Sequence, residues 1–165
     1  MQPVEVKVEG EGPQKKVVID LGEYQVTLEV KPKRQTAAPS EVKLALVLDQ
    51  THRGYSQTLE RYTPPNVEIH EITGIGLAGV VKAGERTYRH AASDDYDVLR
   101  LLESLAKKFT VTLFITGDKT LSEEAKLLRT AKNLNVEVHY MPPSEFTGKE
   151  AVIQAILDVV HRHVS

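Results

Sequence analysis

Ile115-Thr116-Gly117-Asp118-Lys119-Thr120-Leu121 is the stretch that decides the fold. Upstream of it runs Val111-Thr112-Leu113-Phe114, apolar and β-branched, which predicts a buried strand. Downstream, Thr120-Leu121-Ser122-Glu123 has the spacing of a capping box and predicts the start of an amphipathic helix. Asp118 therefore falls where a strand ends and a helix begins. In an open α/β sheet that is the rim where ligands bind. A carboxylate there either shapes the turn or serves a site, and the difference rests on what else reaches the rim.

C-terminal to this stretch, Val136-Glu137-Val138-His139-Tyr140 predicts a last strand and Pro142-Pro143 a break. Lys149 to His163 then predicts a terminal helix with Val152, Ile156 and Val160 on one face, and with His161 and His163 at the surface. On the N-terminal side, Ser93 reads as the cap of a helix whose apolar stripe is Val98, Leu101, Leu102 and Leu105. Gly79 to His90 predicts a hairpin, Val80-Val81-Lys82 and Thr87-Tyr88-Arg89 about a turn containing Gly84. Val67 to Ile72 alternates as a strand. Val42 to Leu48, broken only by Lys43, predicts a buried strand that ends in Asp49. Between these two lies helical potential from Tyr55 to Arg61, stopped by Thr63-Pro64-Pro65. Strands alternating with helices over residues 41–165 imply an α/β domain with a mainly parallel sheet covered on both sides.

Residues 1–35 read differently. Val4, Val6 and Val8 alternate with charged residues, and turns at Gly10-Glu11-Gly12-Pro13 and Gly22 separate them from Val17-Val18-Ile19 and from Tyr24 to Val30. A small antiparallel β-meander is the simplest result. It holds six acidic and six basic residues, which argues against a dedicated nucleic-acid arm. Three strands with one apolar face need a partner, either the rest of the chain or a second copy, so a homodimer through the meander is one expectation. The polar segment around 36–40 reads as a linker to the domain at 41–165.

Composition sets the outer bounds. At 165 residues, 41% hydrophobic and 27% charged, the chain has enough apolar surface for one packed domain plus a small appendage. A net charge of −2 excludes a global basic field, so any polyanionic partner must be held by local patches. The absence of cysteine excludes disulfides, thiolate metal sites and a cysteine nucleophile. Neither a signal peptide nor a membrane-spanning run is read from the sequence, so the expectation is a cytoplasmic protein with no membrane partner.

Asp49 and Asp118 each follow an apolar strand, so in a parallel sheet both land on one rim. The helix from Ser93 precedes the strand at Val111, which puts its first turn at that rim too. At 100° per residue Asp94 falls near the centre of the Val98–Leu102 stripe and Asp95 on its flank. Each acid also has a local explanation: a turn for Asp49, dipole complement for Asp94 and Asp95, an Asx turn for Asp118. Together they make a costly cluster, since two carboxylates ~4 Å apart at an effective dielectric of ~20 repel by roughly 4 kcal/mol. A proton or a cation must relieve that repulsion. Oxygen-only donors suit Mg²⁺ or Mn²⁺, the ions that activate water in phosphodiester cleavage.

These residues resemble a family. Asp49 after a buried strand, then Lys82-Ala83-Gly84-Glu85-Arg86-Thr87-Tyr88 leading into Ser93-Asp94-Asp95-Tyr96, then Ile115 to Leu121, are similar to the PIN-like ribonucleases, nearest the NYN branch with its CCCH zinc-finger members. The likeness spans residues 41–140. It implies a three-layer α/β/α fold and a Mg²⁺- or Mn²⁺-dependent endoribonuclease. Asp49, Asp95 and Asp118 would be primary metal ligands and Asp94 would assist. Single-stranded RNA is then the expected partner, held by Arg53, Lys82, Arg86, Arg89 and Lys119, with His52, Arg61 and His90 nearby and Tyr55 or Tyr88 as base-stacking candidates.

Asp49 is followed by Gln50-Thr51-His52, where NYN proteins place Gly and Asn. That favours a second expectation, a non-catalytic nucleotide- or RNA-binding or assembly module on the same fold. Two motifs mislead. Gly74-Ile75-Gly76-Leu77-Ala78-Gly79 has dinucleotide-site spacing, but the fifteen residues from Gly79 to Asp94 read as a hairpin and cannot hold both a helix and a strand. Asp49-Gln50-Thr51 lacks the second aspartate of haloacid-dehalogenase phosphatases.

Overall fold

The computed structural model describes residues 5–9, 15–30, 43–74 and 79–164. The readings at Val4, Gly10 to Pro13, the linker and Ile75 to Ala78 lie outside the described residues. The chain divides into two units, Met1–Glu41 and Val42–Ser165.

The first unit is an antiparallel three-stranded sheet of β1 (Glu5–Glu9), β2 (Lys15–Asp20) and β3 (Gln25–Val30), paired in chain order. Val6 pairs with Ile19 and Ile19 with Val26, while Val17 pairs with Leu28. Directly opposed residues share a face, so the period-two pattern collects these side chains on one side of the sheet.

The second unit is α/β, built on a mixed, mostly parallel six-stranded sheet. Its strands are β4 (Leu44–Leu48), β5 (Val67–Thr73), β6 (Val80–Lys82), β7 (Thr87–Ala91), β8 (Val111–Thr116) and β9 (Val136–Tyr140), in the order β6-β7-β5-β4-β8-β9. All neighbours are parallel except β6, the short edge strand that returns antiparallel on β7. Among the described residues four α-helices connect or follow the strands: α1 (Ser56–Tyr62), α2 (Asp95–Lys108), α3 (Lys119–Lys132) and α4 (Lys149–Val164).

β4 is the centre of this sheet, and all five of its residues are fully buried. Its alternation sends Leu44, Leu46 and Leu48 into a cluster with Leu59 of α1 and Val152, Ile156 and Val160 of α4. Ala45 and Val47 point the other way, into a cluster with Val98 and Leu102 of α2 and Leu121 and Ala125 of α3. Burying a side chain such as Leu46 contributes about 1.5–3 kcal/mol. Truncating one to alanine costs about 2–5 kcal/mol because the cavity only partly collapses.

Two helix starts differ from the capping read in the sequence. Asp94, not Ser93, caps α2: its backbone is extended (φ −154, ψ 176) and its side chain accepts from Asp97 N. Asp118, not Thr120, caps α3, accepting from Leu121 N, while Thr120 already lies inside the helix. A cap needs extended backbone and a short acceptor three residues before the open N–H; Asp94 satisfies this one residue after the serine, and Asp118 two residues before the threonine. α3 ends on Asn133, left-handed at φ 50. His163 is not a free surface residue, since its Nε2 lies 2.5 Å from Glu137 Oε2 on β9. Among the described residues no helix is long and apolar enough to cross a membrane.

Candidate functional site

From β4 the chain crosses to β5 on one side, and from β8 it crosses to β9 on the other, although β4 and β8 are hydrogen-bonded neighbours. This reversal is a topological switch point, where open α/β sheets leave a crevice beyond the carboxyl ends of the strands. Asp49 and Asp118 stand on its two lips.

Asp49 N donates to Ile115 O at 3.0 Å, carrying the β4–β8 ladder one residue past the strand. Its carboxylate is buried and bonded through both oxygens. Oδ1 accepts from Gln50 N at 2.7 Å, and Oδ2 accepts from the Thr116 hydroxyl at 2.8 Å. Asp118 N in turn donates to Thr116 Oγ1 at 3.0 Å, and Asp118 Oδ1 accepts from Leu121 N at 3.1 Å. Between them Gly117 N donates to Thr51 Oγ1 at 2.8 Å. A Cβ at Gly117 would stand 3.0 Å from that hydroxyl and 3.1 Å from Pro143 Cδ, so glycine lets the two loops approach closely without displacing either neighbour.

The third segment is the start of α2. Asp94 Oδ1 accepts from Asp97 N at 3.0 Å, while Ser93 donates its N and its hydroxyl to Asp97 Oδ2 at 3.0 and 2.7 Å. Asp97 thus braces the turn from outside. Asp95 is the first helical residue, and its carboxyl makes no hydrogen bond to a described residue.

Asp49, Asp94, Asp95 and Asp118 line one pocket of about 230 Å³, together with Gln50 and Thr51. Partial burial, followed by the charges of Asp118, Asp49 and Asp94, holds the Asp95 carboxyl above the usual carboxylate range. Both a carboxyl edged into a pocket and one facing other carboxylates favour the neutral form. Among the described residues, however, no three histidine, aspartate or glutamate side chains are grouped tightly enough to hold a metal ion as they stand.

The basic residues divide. Arg53 follows the 3-10 turn Gln50–His52, Lys119 opens α3 and Lys82 ends β6, and all three are exposed. Arg86 is engaged by the fold. Its Nη1 donates to Pro64 O at 2.6 Å and Val67 O at 2.7 Å, and its Nη2 to Glu60 O and Thr63 O at 2.5 and 3.2 Å, so it closes the C-terminal end of α1 onto β5. Arg89 pairs through Nε with Glu71 Oε2 at 3.1 Å. Glu71 is buried on β5 and also accepts from Gly54 N and the Ser56 hydroxyl.

Of the remaining candidates Arg61 is exposed, His52 is buried, and His90, Tyr55 and Tyr88 are half-buried. His52 is fully buried with neither ring nitrogen hydrogen-bonded, and burial lowers its pKa against the opposing influence of Asp49 and the Met141 backbone. His90 Nε2 lies 2.7 Å from His70 Nδ1. Tyr55 packs on His52 and under Lys149, and Tyr88 stacks on His70, so each half-buried ring already has a neighbour within the fold.

Sequence reading did not single out Thr116, Thr51 and Glu71. The first two stood inside motifs where the aspartates drew attention. Glu71 was hidden in the alternation Glu68-Ile69-His70-Glu71-Ile72, which looks like a strand with one solvated face, although four of its seven β5 positions in a row are buried. Compared with protein-family models, with curated proteins and with solved structures, the chain has no match.

Proposed function

We propose that this chain is a metal-dependent endoribonuclease of the PIN-like, NYN-type kind, with its second unit forming a three-layer α/β/α core. One observation carries the reading: four carboxylates from three separate segments line a single pocket at the switch point of the sheet. The donors suit a hard divalent cation in kind, being oxygen only. Asp94 and Asp118 each keep one oxygen, and Asp95 both, outside any hydrogen bond with the described residues. The mutual repulsion of these side chains is what a cation in the pocket would relieve. Asp49, Asp95 and Asp118 would hold Mg²⁺ or Mn²⁺, with Asp94 assisting. Such an ion supplies positive charge against the charge developing on a phosphodiester and makes an attacking water more acidic.

The chain's own contribution is orientation. Two hydrogen bonds fix the plane of the Asp49 carboxylate, and the two helix caps fix Asp94 and Asp118. Exposed Arg53 and Lys119 flank the pocket in sequence and would position the RNA backbone by contact with phosphate oxygens. The test is cleavage of a labelled single-stranded RNA by the full chain with Mn²⁺, beside Asp118→Asn. Asparagine caps helices about as well as aspartate, so the fold should hold while cleavage falls at least ~100-fold. Equal residual cleavage in both proteins overturns the reading.

A second reading is favoured by the lack of a closed metal-binding group among the described residues and by the full engagement of Asp49. In it the chain is a non-catalytic RNA- or nucleotide-binding module that assembles through the meander, where Val6, Val26 and Leu28 are exposed. Failure of millimolar Mn²⁺ to raise the melting temperature would favour it, because an ion that binds only the folded state must stabilise that state.

A further inference from the structure

A cleft of about 440 Å³ lies between α1 and the β6–β7 hairpin. Most acids beside it are already engaged. Glu60 accepts from Arg86 N at 3.0 Å and from the Thr87 hydroxyl, and its place is kept open by Gly84, where any Cβ would run into the carboxylate. Glu71, behind Ser56 and Arg89, is buried and paired. Glu85 alone keeps an unengaged carboxylate, out in water at the tip of the hairpin.

The donors are not engaged in the same way. Arg61 is exposed and makes no hydrogen bond or ion pair with a described residue. Arg89 meets Glu71 through Nε alone, so both terminal nitrogens remain unbonded and the side chain is 45% exposed. Gln57 is exposed with its amide unbonded. The wall therefore offers two guanidinium forks and an amide, a donor set that matches phosphate oxygens. One segment borders both cavities. Gln50 and Thr51 line the acid pocket, Ser56 and Gln57 line the cleft, and exposed Arg53 lies on the chain between them.

We infer that this cleft is a backbone subsite for single-stranded RNA, with Arg61 and Arg89 each taking a phosphate and Gln57 the adjoining nucleotide, on a strand that continues over Arg53 to the acid pocket. The identity of the ligand rests on the ribonuclease reading, but occupancy of the cleft does not depend on catalysis. Binding is therefore measured without metal, as fluorescence anisotropy of a labelled oligouridine with the full chain in EDTA across a salt series. Wild type should bind with a clear salt slope. Arg61→Gln, an exposed and unpaired position, should weaken binding about 3- to 10-fold at low salt and flatten the slope by ~0.7, the loss of one single-strand phosphate contact.

Arg162→Gln, near the end of α4 where His163 meets the start of β9, should bind as wild type does. Thermal melts of both variants should match wild type, which keeps the comparison free of folding effects. If Arg61→Gln binds as tightly as wild type with the same slope, or if wild type does not bind in EDTA, the cleft is no RNA subsite. Binding that survives in EDTA while Mn²⁺ cleavage is absent sinks the nuclease and leaves the subsite standing.

Discussion

Asp49 and Asp118 are joined through a single buried hydroxyl. Thr116 donates to Asp49 Oδ2 at 2.8 Å and accepts from Asp118 N at 3.0 Å, so one side chain sets both lips of the switch-point crevice. The arrangement is local on one side and long-range on the other: Asp118 is two residues away in the chain, Asp49 sixty-seven.

Replacing that hydroxyl separates packing from positioning. Thr116→Val keeps the shape of the side chain but leaves a buried carboxylate oxygen and an N–H unpaired, at a cost of about 1–3 kcal/mol in urea unfolding. Thr116→Ser restores the hydroxyl and should recover most of that loss. If the residue also positions the site, the Mn²⁺ concentration for half-maximal cleavage should rise in the valine variant and return in the serine variant. An unchanged Mn²⁺ requirement in Thr116→Val would confine the residue to stability.

Gly117→Ala tests the contact between the two loops. The added methyl meets Thr51 Oγ1 at 3.0 Å and Pro143 Cδ at 3.1 Å, both closer than ordinary packing allows. One of the two must shift, and the expected loss is about 1–3 kcal/mol. Gly54→Ala is a control of another kind: nothing lies within 4 Å of its Cβ, and any loss there reports the backbone alone, since φ is +89.

Arg86→Gln should behave as a structural variant. Losing the donors to Glu60, Thr63, Pro64 and Val67 leaves carbonyls at the end of α1 without partners, which points to roughly 2–4 kcal/mol of destabilisation. Arg86→Lys should not rescue it, because an ammonium cannot span the positions a planar guanidinium reaches. A stable Arg86→Gln with weakened RNA binding would reverse this assignment.

Stability should fall with acid through His70. Burial, then His90 and Lys108, pushes its pKa down to about 3 from the ordinary 6.5. Between those values the unfolded chain binds a proton that the folded chain does not. Lowering the pH from 6.5 therefore removes stability, by up to ~1.4 kcal/mol per pH unit, until about pH 3, below which this group adds no further loss. His90 and His139, also lowered by burial, act in the same direction. Urea unfolding at about pH 7 and about pH 5 should show a steeper loss for wild type than for His70→Phe. Equal slopes would remove His70 from the account.

The elements themselves were largely legible. Apolar runs marked β4 and β8, alternation marked β5 and β9, and the spacing of Val98, Leu102 and Leu105 marked α2. Helix starts were misread by one or two residues, because a cap is chosen by backbone angles and acceptor reach, and several nearby residues share the needed chemistry. Side-chain duties were less legible still. The acceptors of Arg86 include a residue 26 positions away, and Arg89 finds Glu71 across 18, so a basic hairpin that looked available to a ligand turned out to be partly a fastening.

Local chemistry along the chain determined the α/β class and the fact that an aspartate follows each of two buried strands, since hydrophobic period and turn chemistry act within a few residues. Only the tertiary structure decided that β8 pairs with β4 and not with a strand further out, that Asp94 and Asp95 share a pocket with Asp49 and Asp118, and that Glu71 is buried. Strand order depends on which distant faces bury each other best and on how each crossover passes over the sheet, and no short window of sequence contains either.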